Sequence, residues 1–538
     1  MFSDSYLVSV ASEMSRFLTT ANGWGATLLT QSSVQLLKEL LVAGAQTHAQ
    51  VLSKASFEDL KGQVRERLLE DLGFGTIQRR GALANNLPKS ADEFASTSHL
   101  HLGLKAVIPS LEERYLNEWR TALTALPSQV NTPSPRRVAE LITSFLLGRG
   151  LGGNYLARWI DYRRSHDPRQ VDLSDFMDDL VNLIATRYRP IEAIVILRQS
   201  VSPSVRAADG WLSTVQTRAW LEDNGHLDSP RIPRTIHGAV LFSDFAWDLE
   251  SATEQASAAI ERIKSRAHVH SGRYPIFDDW LWVKGIPKPR RLVGARSTRH
   301  LLPAYSIPAP VFSPGSSDDR LEVATQFLLA AYQSEVGAAA GMLWAAMESL
   351  FAAPGDEQKL VTAQRAADVC LTALVRYELK NTIGMLRSNA GDPNFRASYP
   401  MDNDATVNAA EAYLIAGVFS AVASARMQVH LANVARLNSP DVMKGTRLSL
   451  VRTFRALYRH RNLVLHGGIT DAPLRDGVLR AAFPLVTAVI NRCARASAES
   501  GIAAQALAYI SGIELDSYEQ APTSLRTVAG IQSSRNVS

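Results

Sequence analysis

The period of the apolar residues changes twice along this chain, and that restricts the fold more than any single motif does. Over the first ~185 residues apolar positions recur with helical spacing. From about residue 190 three short β-branched and aromatic runs appear, Ile191–Leu197, Gly238–Phe242 and Trp280–Val283, with the helix-patterned LESATEQASAAIERIKSRA between the second and third. From Asp318 the helical period returns. The pattern predicts a mainly α protein: an N-terminal helical region (1–187), a small α/β insert (188–285) built as a split βαβ sheet, and a basic, proline-bearing linker (286–317). A helical C-terminal domain (318–515) and a flexible tail (516–538) complete it.

Local punctuation places the helix ends. Ser56 and Asp59 have capping-box spacing, with a helix running from there until Gly73; residues 74–100 read as a loop, and further helices open at Pro109, behind Ser134 with Pro135 at the first position, and behind Ser174. Gln358 to Arg387 reads as a helix pair and 404–436 as helical. Ser439-Pro440 opens a helix that runs to His466, where Gly467-Gly468 stops it, and two more helices fill 473–512.

Composition removes several function classes. The two cysteines, Cys370 and Cys493, form no CxxC, which excludes a disulfide framework, a zinc ribbon and a thioredoxin-type site. An acid follows closely on the initiating Met, and no 18-residue apolar run occurs, so the expectation is a soluble cytoplasmic protein with no membrane partner. HExxH, GxSxG and Walker sequences are absent, and neither a cofactor nor a metal is expected. Gly148-Arg-Gly-Leu-Gly-Gly153 fits the dinucleotide-binding expression, but it follows a helix instead of a strand and reads as an interhelical hinge. Arg outnumbers Lys by 46 to 11; its planar fork suits phosphate, although Ala and Arg enrichment together also follow from coding composition. The run KGIPKPRRLVGARSTRH (284–300) has six Lys and Arg and no acid, a pattern that fits either a solvated linker or a track for an RNA backbone.

One helix carries chemistry. In RTFRALYRHRNLVLHGG (452–468), Arg455, Arg459, Asn462 and His466 project to one stripe at ~100° per residue, opposite Leu450, Phe454, Leu457, Val464 and Leu465. Arg461 falls within the apolar sector, where an unpaired charge is costly. Glu348 in LWAAMESLF likewise projects among apolar neighbours, so the two are expected to form a buried ion pair. The spacing R-x4-H occurs twice, at Arg455–His460 and Arg461–His466, and chance supplies such a spacing in a chain this rich in Arg. Context selects the second pair: Asn follows its Arg, apolar residues fill the interval, and glycines follow its His.

The segment RNLVLHGG (461–468), preceded by WAAMESLF and QRAADVCL, resembles the HEPN superfamily, specifically its Apea-like branch, over about residues 320–500. The resemblance implies a C-terminal HEPN-type helical bundle and leaves the first 300 residues uncovered. It further implies a metal-independent endoribonuclease that acts as a homodimer or higher oligomer on RNA, typically as a toxin or antiviral defence effector under a regulator or sensor partner. Residue by residue, Arg461 and His466 match the catalytic pair, Asn462 the polar residue after the Arg, and Glu348 the acid of the first helix; Arg452, Arg455 and Arg459 are then candidate RNA contacts. Where one toxin branch has a Tyr two residues beyond the His as the acceptor of an inactivating modification, this chain has Gly468, which puts that form of control in doubt. The chemistry suits the residues, since His titrates near neutrality and can take the 2′-hydroxyl proton while Arg forks onto phosphate oxygens. The alternative is a non-catalytic HEPN module that binds RNA or nucleotide as a sensor or scaffold.

Overall fold

A computed structural model describes residues 5–18, 32–94, 98–125, 133–165, 171–187, 189–199, 209–271, 274–292, 319–353, 360–387, 393–399, 404–416, 437–521 and 524–529. In chain order the helices before the sheet are α1 Ser5–Leu18, α2 Ser33–His48, α3 Lys54–Glu70, α4 Ile77–Asn85, α5 His99–Thr124, α6 Pro135–Gly148, α7 Gly153–Ser165 and α8 Leu173–Arg187. The middle of the chain gives β1 Arg189–Leu197, β2 Trp211–Leu212, α9 Thr214–Asp223, β3 Gly238–Ala246, α10 Leu249–Ser271, β4 Phe277–Val283 and β5 Arg290–Arg291. The remainder is helical: α11 Asp319–Gln333, α12 Val336–Phe351, α13 Leu360–Arg387, α14 Pro393–Ser398, α15 Asp404–Ala416, α16 Pro440–Leu465, α17 Arg475–Ser500, α18 Ala504–Gln520 and α19 Leu525–Val528. The protein is thus mainly helical with one small sheet.

Its compact units are not serial blocks. One comprises residues 1–18, 70–82 and 109–298; the other comprises 19–69, 83–108 and 299–538. The expected N-terminal helical region therefore divides, and α2 with most of α3 belongs with the C-terminal bundle. Nothing in the local pattern of an amphipathic helix states which core its apolar face joins.

Local differences have local causes. The cap of α3 is formed by Ser53, whose Oγ accepts from the Ser56 N–H at 3.2 Å, while Ser56 itself is buried inside the helix. The α8 cap is Asp172, accepting from the Asp175 N–H at 2.8 Å, instead of Ser174. Part of the expected 74–100 loop is α4, and α5 starts ten residues before Pro109, which lies inside it. Gln358–Arg387 yields one long helix, α13, whereas most of the 286–317 linker and residues 417–436 lie outside the described residues. As expected, Ser134 caps α6, its Oγ accepting from the Arg137 N–H at 3.3 Å. Among the described residues one helix, α17, is long and apolar enough to cross a membrane, and most of it is buried.

In the first unit the sheet order is β2-β3-β1-β4-β5 and every neighbouring pair is antiparallel; β3 and β4 therefore run parallel to each other, separated by β1 and connected through α10, which is the expected split βαβ arrangement. α10 covers one face through Ala252, Ala256 and Ile260 against Val195, Leu281 and Val283, and α9 covers the other through Leu221 against Ile194, Ile196 and Trp282. Burial on both faces explains why the strands read as continuous apolar runs. The Gly148–Gly153 hinge joins α6 to α7. The Gly152 and Tyr155 N–H groups donate to Asp248 and Glu250 at 2.9 and 2.8 Å, so carboxylates occupy donors that a dinucleotide phosphate would need.

In the second unit α12 and α16 run antiparallel. A Cβ on Gly341 would lie 3.7 Å from Leu465, and the rings of Trp344 and Tyr458 are 5.1 Å apart. α13, α17 and α18 complete a core that includes Leu343, Met347, Leu374, Phe454, Phe483 and Leu515. Because α2 and α3 pack on α16, a fragment of residues 310–520 is expected to be unstable alone and to gain a cooperative melt when residues 19–108 are co-expressed, as read by circular dichroism. A fragment that melts cooperatively by itself would show that the N-terminal helices are dispensable.

Candidate functional site

The polar stripe of α16 faces protein instead of solvent. Arg452 pairs with Glu66 and Arg455 with Asp59; Arg459, with 0% of its side chain exposed, donates to Asp59 at 3.3 Å, and Gln63 donates to the same carboxylate at 2.7 Å. His460 lies 3.2 Å from Glu39, both essentially sealed from solvent. Of the expected RNA contacts, Arg459 cannot meet a phosphate without unpacking the helix and is corrected; Arg455 shares Asp59 with it, and Arg452, partly exposed, is held by Glu66. These partners stand 386 to 400 positions upstream, where no spacing rule connects them to α16.

The electrostatics of this cluster are those of a low-dielectric site. Burial would raise Glu39, but the charges of His460 and Arg459 outweigh it and hold the carboxyl below its ordinary 4.5. Burial draws Arg459 below its ordinary value, with Glu39 and Asp59 opposing that shift.

Beyond this cluster the helix emerges, and the second R-x4-H pair comes together there. Arg461 is half-buried, His466 is exposed, and Arg461 Nη1 lies 2.8 Å from His466 Nε2. The same Nη1 donates to Asn462 Oδ1 at 2.8 Å, and Asn462 is buried. Three of the four expected catalytic residues thus meet within hydrogen-bond distance.

Glu348 does not join them, and the expected Arg461–Glu348 ion pair is not formed among the described residues. The antiparallel packing supplies the reason. Gly341 meets Leu465 and Trp344 meets Tyr458, so Glu348, one turn beyond Trp344, is carried away from Arg461. Asn462 and His466 take the guanidinium instead.

Two glycines shape the turn for different reasons. A Cβ on Gly467 would stand 2.7 Å from the Leu463 carbonyl and 3.0 Å from Gln46 Oε1, so the chain passes too close to α16 and α2 for a side chain. Gly468 has φ +65° with open space around it, so here the backbone conformation is what favours glycine. The His466 N–H bonds to the Asn462 carbonyl at 2.9 Å and the Ile469 N–H to the Leu463 carbonyl at 2.9 Å, closing the helix end.

Sequence reasoning missed Glu39, Glu66 and Gln46, which with Asp59 hold the helix and turn, and it read Asp59 only as part of a capping box; none of them carries a signal that names its distant partner. No group of three or more His, Cys, Asp or Glu side chains placed to hold a metal ion occurs among the described residues. Comparison with protein families, curated proteins and solved structures finds no match to this chain, so the reading of the site rests on its own residues and geometry.

His460→Ala is expected to destabilise the fold by roughly 3–5 kcal/mol, because it leaves the buried Glu39 carboxyl without the imidazole that faces it at 3.2 Å. Glu39 carries a pH signature as well. A carboxyl held below its ordinary value stabilises the fold above that value and loses the contribution as pH falls through the lowered one. The melting-temperature gap between the wild type and Glu39→Gln should accordingly be largest above 4.5 and close below it. A gap that widens on acidification would reverse the sign and refute the pairing.

Proposed function

We propose that the protein is a metal-independent endoribonuclease whose chemistry is carried by Arg461 and His466. The observation that supports this reading is the 2.8 Å contact between Arg461 Nη1 and His466 Nε2 at a solvent-exposed helix end. A guanidinium has only donors, so in this arrangement Nε2 is the acceptor and its lone pair is held by Arg461. An RNA phosphate competes for the same guanidinium. When Arg461 forks onto phosphate oxygens, Nε2 is released beside the ribose to take the 2′-hydroxyl proton, and Arg461 faces the charge that grows on the phosphorane. Asn462 sets the direction of the guanidinium, the part first expected of Glu348.

In-line displacement also needs a proton at the departing 5′-oxygen, on the far side of phosphorus from the attacking 2′-oxygen. One imidazole cannot readily serve both, whereas two protomers bringing two motifs together can, so the active species is a homodimer. Attack by the 2′-oxygen leaves a 2′,3′-cyclic phosphate and a 5′-hydroxyl. Indiscriminate RNA loss of this kind arrests growth, which suits a toxin or antiviral effector.

Arg461→Ala and His466→Ala should each lower RNA cleavage by roughly a hundred- to ten-thousandfold. Because His466 lies at an exposed helix end, His466→Ala should keep stability within about 0.5 kcal/mol, whereas Arg461→Ala leaves the buried Asn462 Oδ1 without its donor and should cost about 1–3 kcal/mol. Activity should persist in excess EDTA, spare DNA, and stop when the ribose beside the scissile phosphate is 2′-deoxy. Products bearing 5′-phosphate, or cleavage that vanishes with chelation and returns with magnesium, would refute the mechanism; a wild-type protein that cuts no RNA would leave the pair as a helix-end stabiliser.

A further inference from the structure

We propose that the β4–β5 edge of the sheet, around Trp280, Arg231 and Arg291, is a binding surface for the phosphate backbone of single-stranded RNA. The guanidinium of Arg231 stacks 4.1 Å above the ring of Trp280. Stacking fixes the plane of the guanidinium while leaving its N–H donors free at the edge, the geometry that receives a phosphate bidentately. Trp280 pairs with Arg291 across the β4–β5 ladder, which sends both side chains to the same face of the sheet.

The cations around this point, Arg231, Lys288, Arg290 and Arg291, are exposed and are not held in ion pairs among the described residues. Of the acids on this face, Glu192 accepts from Trp220 Nε1 at 2.8 Å and lies 3.4 Å from Lys284, and Asp278 is buried; Glu222, Asp223 and Asp228 are exposed and form no ion pair with these cations among the described residues. β5 is a two-residue edge strand whose outer side faces no further strand among the described residues, so an extended polymer can run along it. The choice of RNA among polyanions rests on the ribonuclease reading; the cationic geometry stands independently of it.

The test uses full-length His466→Ala protein, which can bind RNA without cutting it, and fluorescence anisotropy of a labelled 20-nucleotide polypyrimidine RNA at several salt concentrations. Adding R231A and R291A should weaken binding roughly tenfold or more. The same pair should reduce the slope of log affinity against log salt by about 1.4, two contacts at ~0.7 each. The control pair R262A and R266A removes the same charge from α10, on the opposite face of the sheet, and should change affinity less than about twofold, since exposed sites of this kind contribute little individually. Replacing Arg231 by Lys retains charge but loses the planar fork, and should weaken binding too. Equal losses from the two Ala pairs, no loss from either, or displacement of RNA by polyglutamate at matched charge would each overturn the proposal. Wild-type cleavage assayed beside these measurements separates the two readings: cutting with unaltered binding by the R231A/R291A protein sinks this surface alone, while binding as described without any cutting sinks the nuclease reading and leaves the surface.

Discussion

The buried ion-pair cluster of Glu39 and Asp59 with Arg455, Arg459 and His460 is the constraint on which the C-terminal unit depends. Removing several charges from water is costly, and attraction between them offsets the loss only when all partners are present with good geometry. α16 therefore cannot present its polar stripe to the core unless α2 and α3 arrive with their carboxylates. That requirement ties segments nearly four hundred residues apart into one unit and explains why the chain's architecture is interleaved.

The same contacts fix the helix end. With Arg452, Arg455 and Arg459 held along α3, the rotation of α16 about its own axis is set, and the direction in which Arg461 and His466 leave it is set too. Gln46 closes on Gly467 from α2, so the turn is supported from the N-terminal side as well as by its own hydrogen bonds. A site built in this way owes its geometry to rigid helices even though His466 itself stands in solvent.

Much of this was legible in the residues. The three main strands, the glycine stop after His466, the Ser134 cap and the hinge at Gly148–Gly153 follow from local pattern, because each is decided by neighbours a few positions away. The two edge strands were not, since β2 and β5 are two residues long and take their place from register with β3 and β4 alone. Helical projection placed Arg455, Arg459 and Asn462 correctly on one stripe but could not tell a stripe facing water from one facing carboxylates. The Glu348 expectation failed for a related reason: two charges among apolar neighbours need not be level with each other when their helices pack, and the Trp344–Tyr458 contact shows that these are not.

The two R-x4-H spacings show what burial adds to pattern. Arg455–His460 and Arg461–His466 are offset by six residues, which at ~100° per residue turns one pair about 120° from the other around the helix. Both have the same residue types and the same spacing, so sequence arithmetic treats them alike. The first is clasped by Asp59 and Glu39, with His460 1% exposed; a polymer could reach that imidazole only if α2 and α3 separated from α16. The second lies one turn past the end of that clasp, bonded to itself and to Asn462, at the surface. Any chemistry this spacing performs on RNA therefore belongs to Arg461 and His466, while the buried copy supplies the fixed helix from which they project.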